Sequence, residues 1–522
     1  MMDIQFIDIK EFRQAMAGQR AAGMDFLREM VGIDWGEEGL GVIYILENSN
    51  THHTAELAVR TKERENPQLP TVCDIWSIAE MYEREIYDFY GIRFAEHPDM
   101  RRLYLRNDWV GYPLRKDYDP SEKINPIRLE SEQAEDFQRV YDIQDDKELA
   151  RVVEELKILH YDQYIINIGP QHPATHGVLR FHLSLEGEEV RKVDIRCGYI
   201  HRGIEKLCES RTYPQILPFT DRLDYLSAHH NRHALCMCIE NAMGVEIPER
   251  AQYIRTIMDE LQRIDSHLLM FSCLAMDMGA ITSFIYGFRE RERVLDIMEE
   301  VTGGRLIQNY NVIGGVQADI TTDFARKVKD YCKDQKRRLK EYYDVFVNNV
   351  IFRNRAKGVG VLTREDAISF GATGGTGRAS GWACDVRKRH PYALYGKVDF
   401  KEILHTGGDC YDRLLVRLEE IVESIGIIEQ LIDSIPDGDF KAKTKPIIKL
   451  PEGRFYAAVE GARGEFGVFI ESRGDKEPYR LKFRPMGLPL IAAAQKIMKG
   501  CKIADLITIG ASLDYVIPDI DR

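Results

Sequence analysis

No stretch of this sequence approaches the roughly 18–20 uninterrupted apolar residues of a membrane-spanning helix, so none is expected. Positive charge is in deficit. Lys and Arg number 71 against 84 Asp and Glu, a net charge of −13, which argues against nucleic acid as a main partner. The opening "MMDIQFIDIKEFRQ" has no long apolar core and no small-residue cleavage site, which argues against a secretory signal and for the cytoplasm. A chain without a span can still dock on a membrane assembly. The ten cysteines contain no C-x-x-C pair. Cys236 and Cys238 are two apart within a helical pattern, where side chains diverge. Reduced, mostly buried thiols are expected, rather than disulfides or a cluster. The Gly-rich run "GATGGTGRASG" (371–381) lacks the Lys-Ser/Thr ending of a phosphate loop and follows no clear strand, so it reads as a tight irregular loop.

What is present is a globular composition, 44% hydrophobic and 30% charged, over 522 residues. That length is too great for one ordinary core, and two or three domains are expected. The pattern is α+β. Residues 1–118 read as a small mixed α/β domain. "GVIYILEN" and "TAELAVRT" alternate as strands do, and "IAEMYEREIYDFYG" reads as a helix stopped by Gly91. Residues 119–160 are strongly charged and poor in large apolar side chains, and read as a linker with some helix.

Residues 161–522 read as a mostly helical domain with small sheets at its edges. "YIINIG", "VLRFHLSLEG" and "VRKVDIRCG" read as strands. In the second, Leu179, Phe181, Leu183 and Leu185 alternate with polar residues. Helices are predicted over "LDYLSAHHNRHALCMCIENAMG", ending at Gly244, and over "PERAQYIRTIMDELQRIDSHLLMFSCLAMDMG", opening at Pro248. A third, "TSFIYGFRERERVLDIMEEVTGG", has Thr282 as its candidate N-cap and Gly303 as its stop, and "FRERERVLDIMEE" reads as a solvated or interface face. A further helix is expected over 320–350, and a hairpin over "RFYAAVEGARGEFGVFIES".

Two histidine groups could carry chemistry. His229 and His233 in "HHNRH" share a helix face, but no third or fourth metal ligand stands out. "GPQHPATHG" holds His172 and His176 four apart. Pro173 and the flanking glycines make a regular helix unfavourable, so helical metal geometry is not implied. By spacing alone, both histidines read as satisfying backbone groups in a tight turn.

Longer motifs add a family resemblance. "NIGPQHPATHGVLRFHLSLEGE", "GYIHRGIEKLCESRTYPQILPFTDRLDYLSAHHN", "RAQYIRTIMDELQRIDSHLL", "AMDMGAITSF", "GGDCYDRLLVRLEE", "GEFGVFIES" and the final "DIDR" resemble the D subunit of respiratory complex I, which carries its quinone site. "MYEREIYDFYGIRFAEHPDMRRLYL" and "DWVGYPLRKDY" resemble the C subunit of the same complex. The chain is thus similar to a C–D fusion of an NADH-quinone oxidoreductase. Fusion fixes the two parts at equal stoichiometry and raises their effective concentration.

The resemblance implies roles for particular residues. His176 and Tyr225 match the family's donors to the two quinone oxygens, and Asp277 the carboxylate that orients and favours protonated His176. His172 shapes the loop. Arg202 in "YIHRG" matches the arginine beside the terminal 4Fe-4S cluster, which a partner holds; this chain has no cluster-binding cysteine pattern of its own. Implied partners are the B-like cluster carrier, the I-like ferredoxin-type component and the H-like membrane component of the complex. The implied location is peripheral, on the cytoplasmic side of a bacterial inner membrane. One position departs from the pattern: Ile307 in "RLIQNY" stands where the family commonly has histidine, and the expected quinone is then a lower-potential one such as menaquinone, with ubiquinone the other quinone of the family. The region after 435 also looks shortened.

Two rival readings remain. The D family resembles the large subunit of nickel–iron hydrogenases, which need four cysteine thiolates. Here Asp224, Ser227, Val516 and Asp519 occupy those positions, and the sequence ends at Arg522 without a cleavable extension, so a hydrogenase is disfavoured. The other rival is a non-catalytic scaffold between a redox module and a membrane arm. That description suits the first domain, which offers no catalytic constellation.

Overall fold

The computed structural model describes residues 2–106, 109–119, 163–171 and 177–522. The predicted linker falls almost wholly outside them, as do His172 and His176.

In the first part, four strands form one sheet in the order Gln5–Phe6, Thr54–Thr61, Leu40–Glu47, Phe26–Asp34. Leu40–Glu47 pairs antiparallel with both long neighbours. The helix Ala79–Tyr90 ends at Gly91, whose φ of +72° is the left-handed conformation that glycine adopts without strain. Phe26–Asp34 is an edge strand, yet all nine of its residues are buried. Its outer carbonyls are taken up by the second part. Arg484 Nε donates to Arg28 O at 2.7 Å, and Arg480 Nε to Gly32 O at 3.1 Å. An edge strand left bare would be an aggregation template, and here guanidinium groups close it.

The second part is built around the 29-residue helix Glu249–Asp277. Its Ile254, Ile257, Met258, Leu261, Ile264 and Leu268 are fully buried, as their spacing predicts. Truncating one such side chain to alanine costs about 2–5 kcal/mol. Against it lie Ala228–Met243, Ile281–Thr302 and Cys410–Leu431. Gln163–Ile168, Arg180–Glu186 and Glu189–Arg196 form an antiparallel sheet, with Leu179, Phe181, Leu183 and Leu185 buried. The expected hairpin is Gly453–Gly461 with Gly464–Ser472, and Arg480–Arg484 adds a third strand. One hydrophobic cluster runs through both parts, for instance where Phe26 meets Trp382 edge to face at 5.0 Å.

Four local expectations change. The helix expected from Leu223 begins at Ala228, because Asp221–Ser227 is spent on turns that tie Asp221, Asp224 and Ser227 into the interior. Thr282 is inside its helix, which is preceded by Ala280. The Gly-rich run contains a short buried helix, Gly374–Ala379, rather than a loop. There Gly375 lies against Arg417, and a Cβ added to it would stand only 3.3 Å from that side chain, so a small residue is required for close packing. The charged face of Ile281–Thr302 is only partly solvated. Glu290 and Arg291 are buried, and Arg291 Nε pairs with Asp265 at 3.1 Å.

Candidate quinone-site wall and its surroundings

Tyr225 lies in the turn just before the helix Ala228–Met243 and is half-buried. Burial raises its phenol above the ordinary value, and the adjacent Asp224 carboxylate raises it further, against the pull of Arg463 and Arg291. The phenol therefore stays protonated and remains a donor. Asp277 is the last residue of the long helix, and Cys273 lies one turn before it, on the same face. Cys273 is close enough to Asp277, Asp514, Arg463 and Arg291 to feel their charges, and Tyr225 feels Cys273. Burial and these carboxylates push the Cys273 thiol up to about 11. Tyr515 senses Asp277 in turn. Tyr225 and Asp277 are thus linked through Cys273, and Tyr515 through Asp277, as one electrostatic neighbourhood, the wall of the candidate site.

His172 and His176 lie outside the described residues, which resume at Gly177. Gly177 has φ of +141°, and a Cβ there would stand 2.5 Å from Ile517 Cγ1. Gly177 therefore packs against the segment that follows Tyr515. Arg202 is exposed on the turn after Glu189–Arg196, its guanidinium donating to Arg222 O at 3.3 Å. It lies on a different stretch from Tyr225 and Asp277.

Asp224, Ser227, Val516 and Asp519 are all buried. Arg463 Nη1 donates to Asp224 at 2.9 Å and its Nη2 to Asp514 at 3.0 Å. Ala462 N approaches Ser227 Oγ at 3.4 Å, and Gly487 N donates to Asp519 Oδ2 at 2.8 Å. Burial raises the Asp519 carboxyl to about 7, and the charge of Asp224 adds to this. Sequence reading named these positions only for the thiolates they lack. Arg463, which ties Asp224 to Asp514, was missed, because no local pattern announces a partner 239 residues away.

The other histidine group is structural in its bonding. His233 Nδ1 is 2.6 Å from Asp259, and His229 Nδ1 is 3.3 Å from Asn311 Nδ2. In the first part, Cys73, Glu83 and His97 bring ligand-capable atoms within 4.8 Å of one another. Asp99 N donates to His97 Nδ1 at 2.9 Å, so the ring proton sits on Nε2, facing Glu80 O at 3.2 Å. Glu83 accepts from Thr71 Oγ1 at 2.6 Å, Val72 N at 2.7 Å and Cys73 Sγ at 3.3 Å. That imidazole has no lone pair left for a cation, and the group is a closed hydrogen-bond network. Among the described residues no helix is long and apolar enough to cross a membrane.

Three family models match the chain. The 30 kDa subunit of respiratory-chain NADH dehydrogenase matches residues 2–123. The 49 kDa subunit of the same enzyme matches 277–449 and 439–522. Nickel-dependent hydrogenase matches 202–288. The C/D subunit of the NADH-quinone oxidoreductase of Phocaeicola vulgatus is 68% identical over 500 residues, 96% of this chain and 95% of that relative. Its counterpart in Bacteroides thetaiotaomicron is 60% identical over the whole of both chains. The D subunit of the Bacillus cytotoxicus enzyme, 42% identical over 365 residues, covers 70% of this chain and all of its own length. This chain belongs to the fused C/D subunits of NADH-quinone oxidoreductase, and is part of that oxidoreductase complex.

Proposed function

We propose that this chain forms the quinone headgroup site of its complex, against a partner that carries the terminal 4Fe-4S cluster, and that it supplies protons to the reduced quinone. The reading is supported by Tyr225 and Asp277 both lying within electrostatic reach of Cys273. Two-electron reduction puts negative charge on both quinone oxygens, and each needs a donor that can release a proton. Tyr225 Oη, held protonated by burial, serves one oxygen. His176 serves the other, with Asp277 orienting its ring and favouring the imidazolium. His172 shapes the loop. The arrangement of the histidines lies outside the described residues.

The cluster, when present in the partner, supplies electrons one at a time. Arg202 is exposed and cationic, which suits a place beside it, and a nearby guanidinium favours the more negative, reduced state. Ile307 is half-buried and offers only hydrocarbon, so this position adds no titrating group. That suits a lower-potential quinone such as menaquinone. A cluster potential moving by about a full proton equivalent per pH unit would count against it.

In this reading residues 1–118 form a C-like platform, 119–160 link it, and 161–522 hold the site. The B-like, I-like and H-like partners surround the site on the cytoplasmic side of the inner membrane, where quinone protonation is coupled to ion translocation. The direct test is quinone reduction by the tagged complex, driven by a strong artificial reductant, in wild type and Tyr225→Phe. Turnover is expected to fall about 10²-fold or more with assembly intact, the scale of a lost general acid. Unchanged turnover would favour a scaffold and withdraw His176 as well.

A further inference from the structure

We infer that Glu85, in the first part of the chain, is a positioning residue for the quinone-reducing site; the inference rests on the proposed function above. Glu85 sits on the helix Ala79–Tyr90 and is buried. Its two carboxylate oxygens both accept from Arg522 Nη2, at 2.8 and 2.7 Å. Lys482 Nζ also donates to it. Arg522 is itself buried. Its Nε donates to Glu205 at 2.9 Å and its Nη1 to Tyr104 Oη at 3.3 Å. Charged groups withdrawn from water this way must be matched, so the guanidinium has essentially one seat.

That seat fixes the two ends of the site at once. The residue before it, Asp521, accepts from Gly198 N at 2.7 Å and Ile200 N at 3.1 Å, and its carbonyl meets His201 Nδ1 at 3.0 Å. This is the turn that presents Arg202. The same turn is pressed against the first part. His201 stacks on Phe89 at 5.3 Å and on Tyr104 at 5.6 Å. A Cβ on Gly198 would stand 2.3 Å from Tyr104 O. In the other direction the segment 513–522 runs through Asp519 and Ile517, which abuts Gly177, to Asp514, which shares Arg463 with Asp224, the residue before Tyr225. One short strip therefore connects the turn of Arg202 to the wall of Tyr225 and Asp277, and Glu85 anchors it from outside the D-like part. The first part is then more than a platform: it sets the spacing between electron entry and proton delivery.

The test uses the whole complex pulled from membranes, with Glu85→Gln, Glu85→Asp and Tyr225→Phe. Glu85→Gln keeps the volume and one acceptor oxygen but removes the charge that holds Arg522. We expect an assembled complex whose kcat/KM for a soluble quinone falls about tenfold to a hundredfold, the scale of a small misplacement far from the chemistry. The electron paramagnetic resonance signal of the partner's terminal cluster should change as Arg202 shifts, and reduction of a soluble acceptor upstream should not. Glu85→Asp should recover most of the loss. Wild-type kcat/KM and spectrum in assembled Glu85→Gln would overturn the inference. If Glu85→Gln does not assemble, Arg522→Lys is measured in its place with the same expectations. Failure of both to assemble would also overturn it, since the pair would then serve assembly alone. A silent Glu85→Gln beside an impaired Tyr225→Phe removes this inference only. A silent Tyr225→Phe removes the quinone reading beneath it.

Discussion

Arg463 Nη1 lies 2.9 Å from Asp224 Oδ2, and neither side chain reaches solvent. The same guanidinium holds Asp514 and Ser266, so it ties the turn of Tyr225 to the segment carrying Tyr515. Arg463→Met leaves two carboxylates short of their partner and should destabilise the fold by about 3–5 kcal/mol. Asp224→Asn keeps the shape and leaves Arg463 paired with Asp514, so it should cost about 1–3 kcal/mol. Thermal melting of the purified complex, with yield as a second reading, ranks the two.

Asp519 gives a pH signature. Its carboxyl is raised from 3.8 to about 7 by burial, then by the charge of Asp224. Because the folded value is the higher one, the favoured form is the neutral acid. Its contribution to stability is full below about pH 4 and is lost as pH climbs towards 7. A protonated-carboxyl infrared band should titrate with a midpoint near 7 and vanish in Asp519→Asn. The variant should also lose the fall in stability between those pH values. A band unchanged by the substitution would remove Asp519 as its source.

Gly177 closes on Ile517 with no room for a Cβ. Gly177→Ala should push residue 177 off Ile517 and lower kcat/KM for quinone about tenfold. Ile517→Ala in the same chain opens space and should recover part of the loss. An additive fall in the double variant would show that the two positions do not press on each other.

Cys273 should report occupancy. Its thiol is half-buried and raised to about 11, so maleimide labelling is slow at neutral pH and quickens with alkali. A short-chain quinone on the wall of Tyr225 and Asp277 should slow that labelling severalfold. Cys501, raised to about 12 elsewhere on the surface, is the internal control and should not change. Mass spectrometry of the labelled peptides reads both. Equal protection of the two thiols would point to a global effect.

Much of the local structure follows from the sequence alone. The buried stripe from Ile254 to Leu268, the stop at Gly91 and the alternation from Leu179 to Leu185 depend on side-chain period and on glycine's freedom at positive φ, both properties of a short window. The motifs around Tyr225, Asp277 and Arg202 are equally local, which is why their family was legible. Tertiary structure decided what each buried polar group meets. Phe26–Asp34 is buried on every residue because arginines about 450 positions later close its edge. Arg291 is buried because Asp265 awaits it on another helix, although its own neighbourhood reads only as a solvated or interface face, with no partner named. Glu85 and Arg522 are 437 positions apart, and each alone reads as a surface residue. A charge is buried only when a partner replaces its water, and that partner is supplied by the fold rather than by the neighbouring sequence.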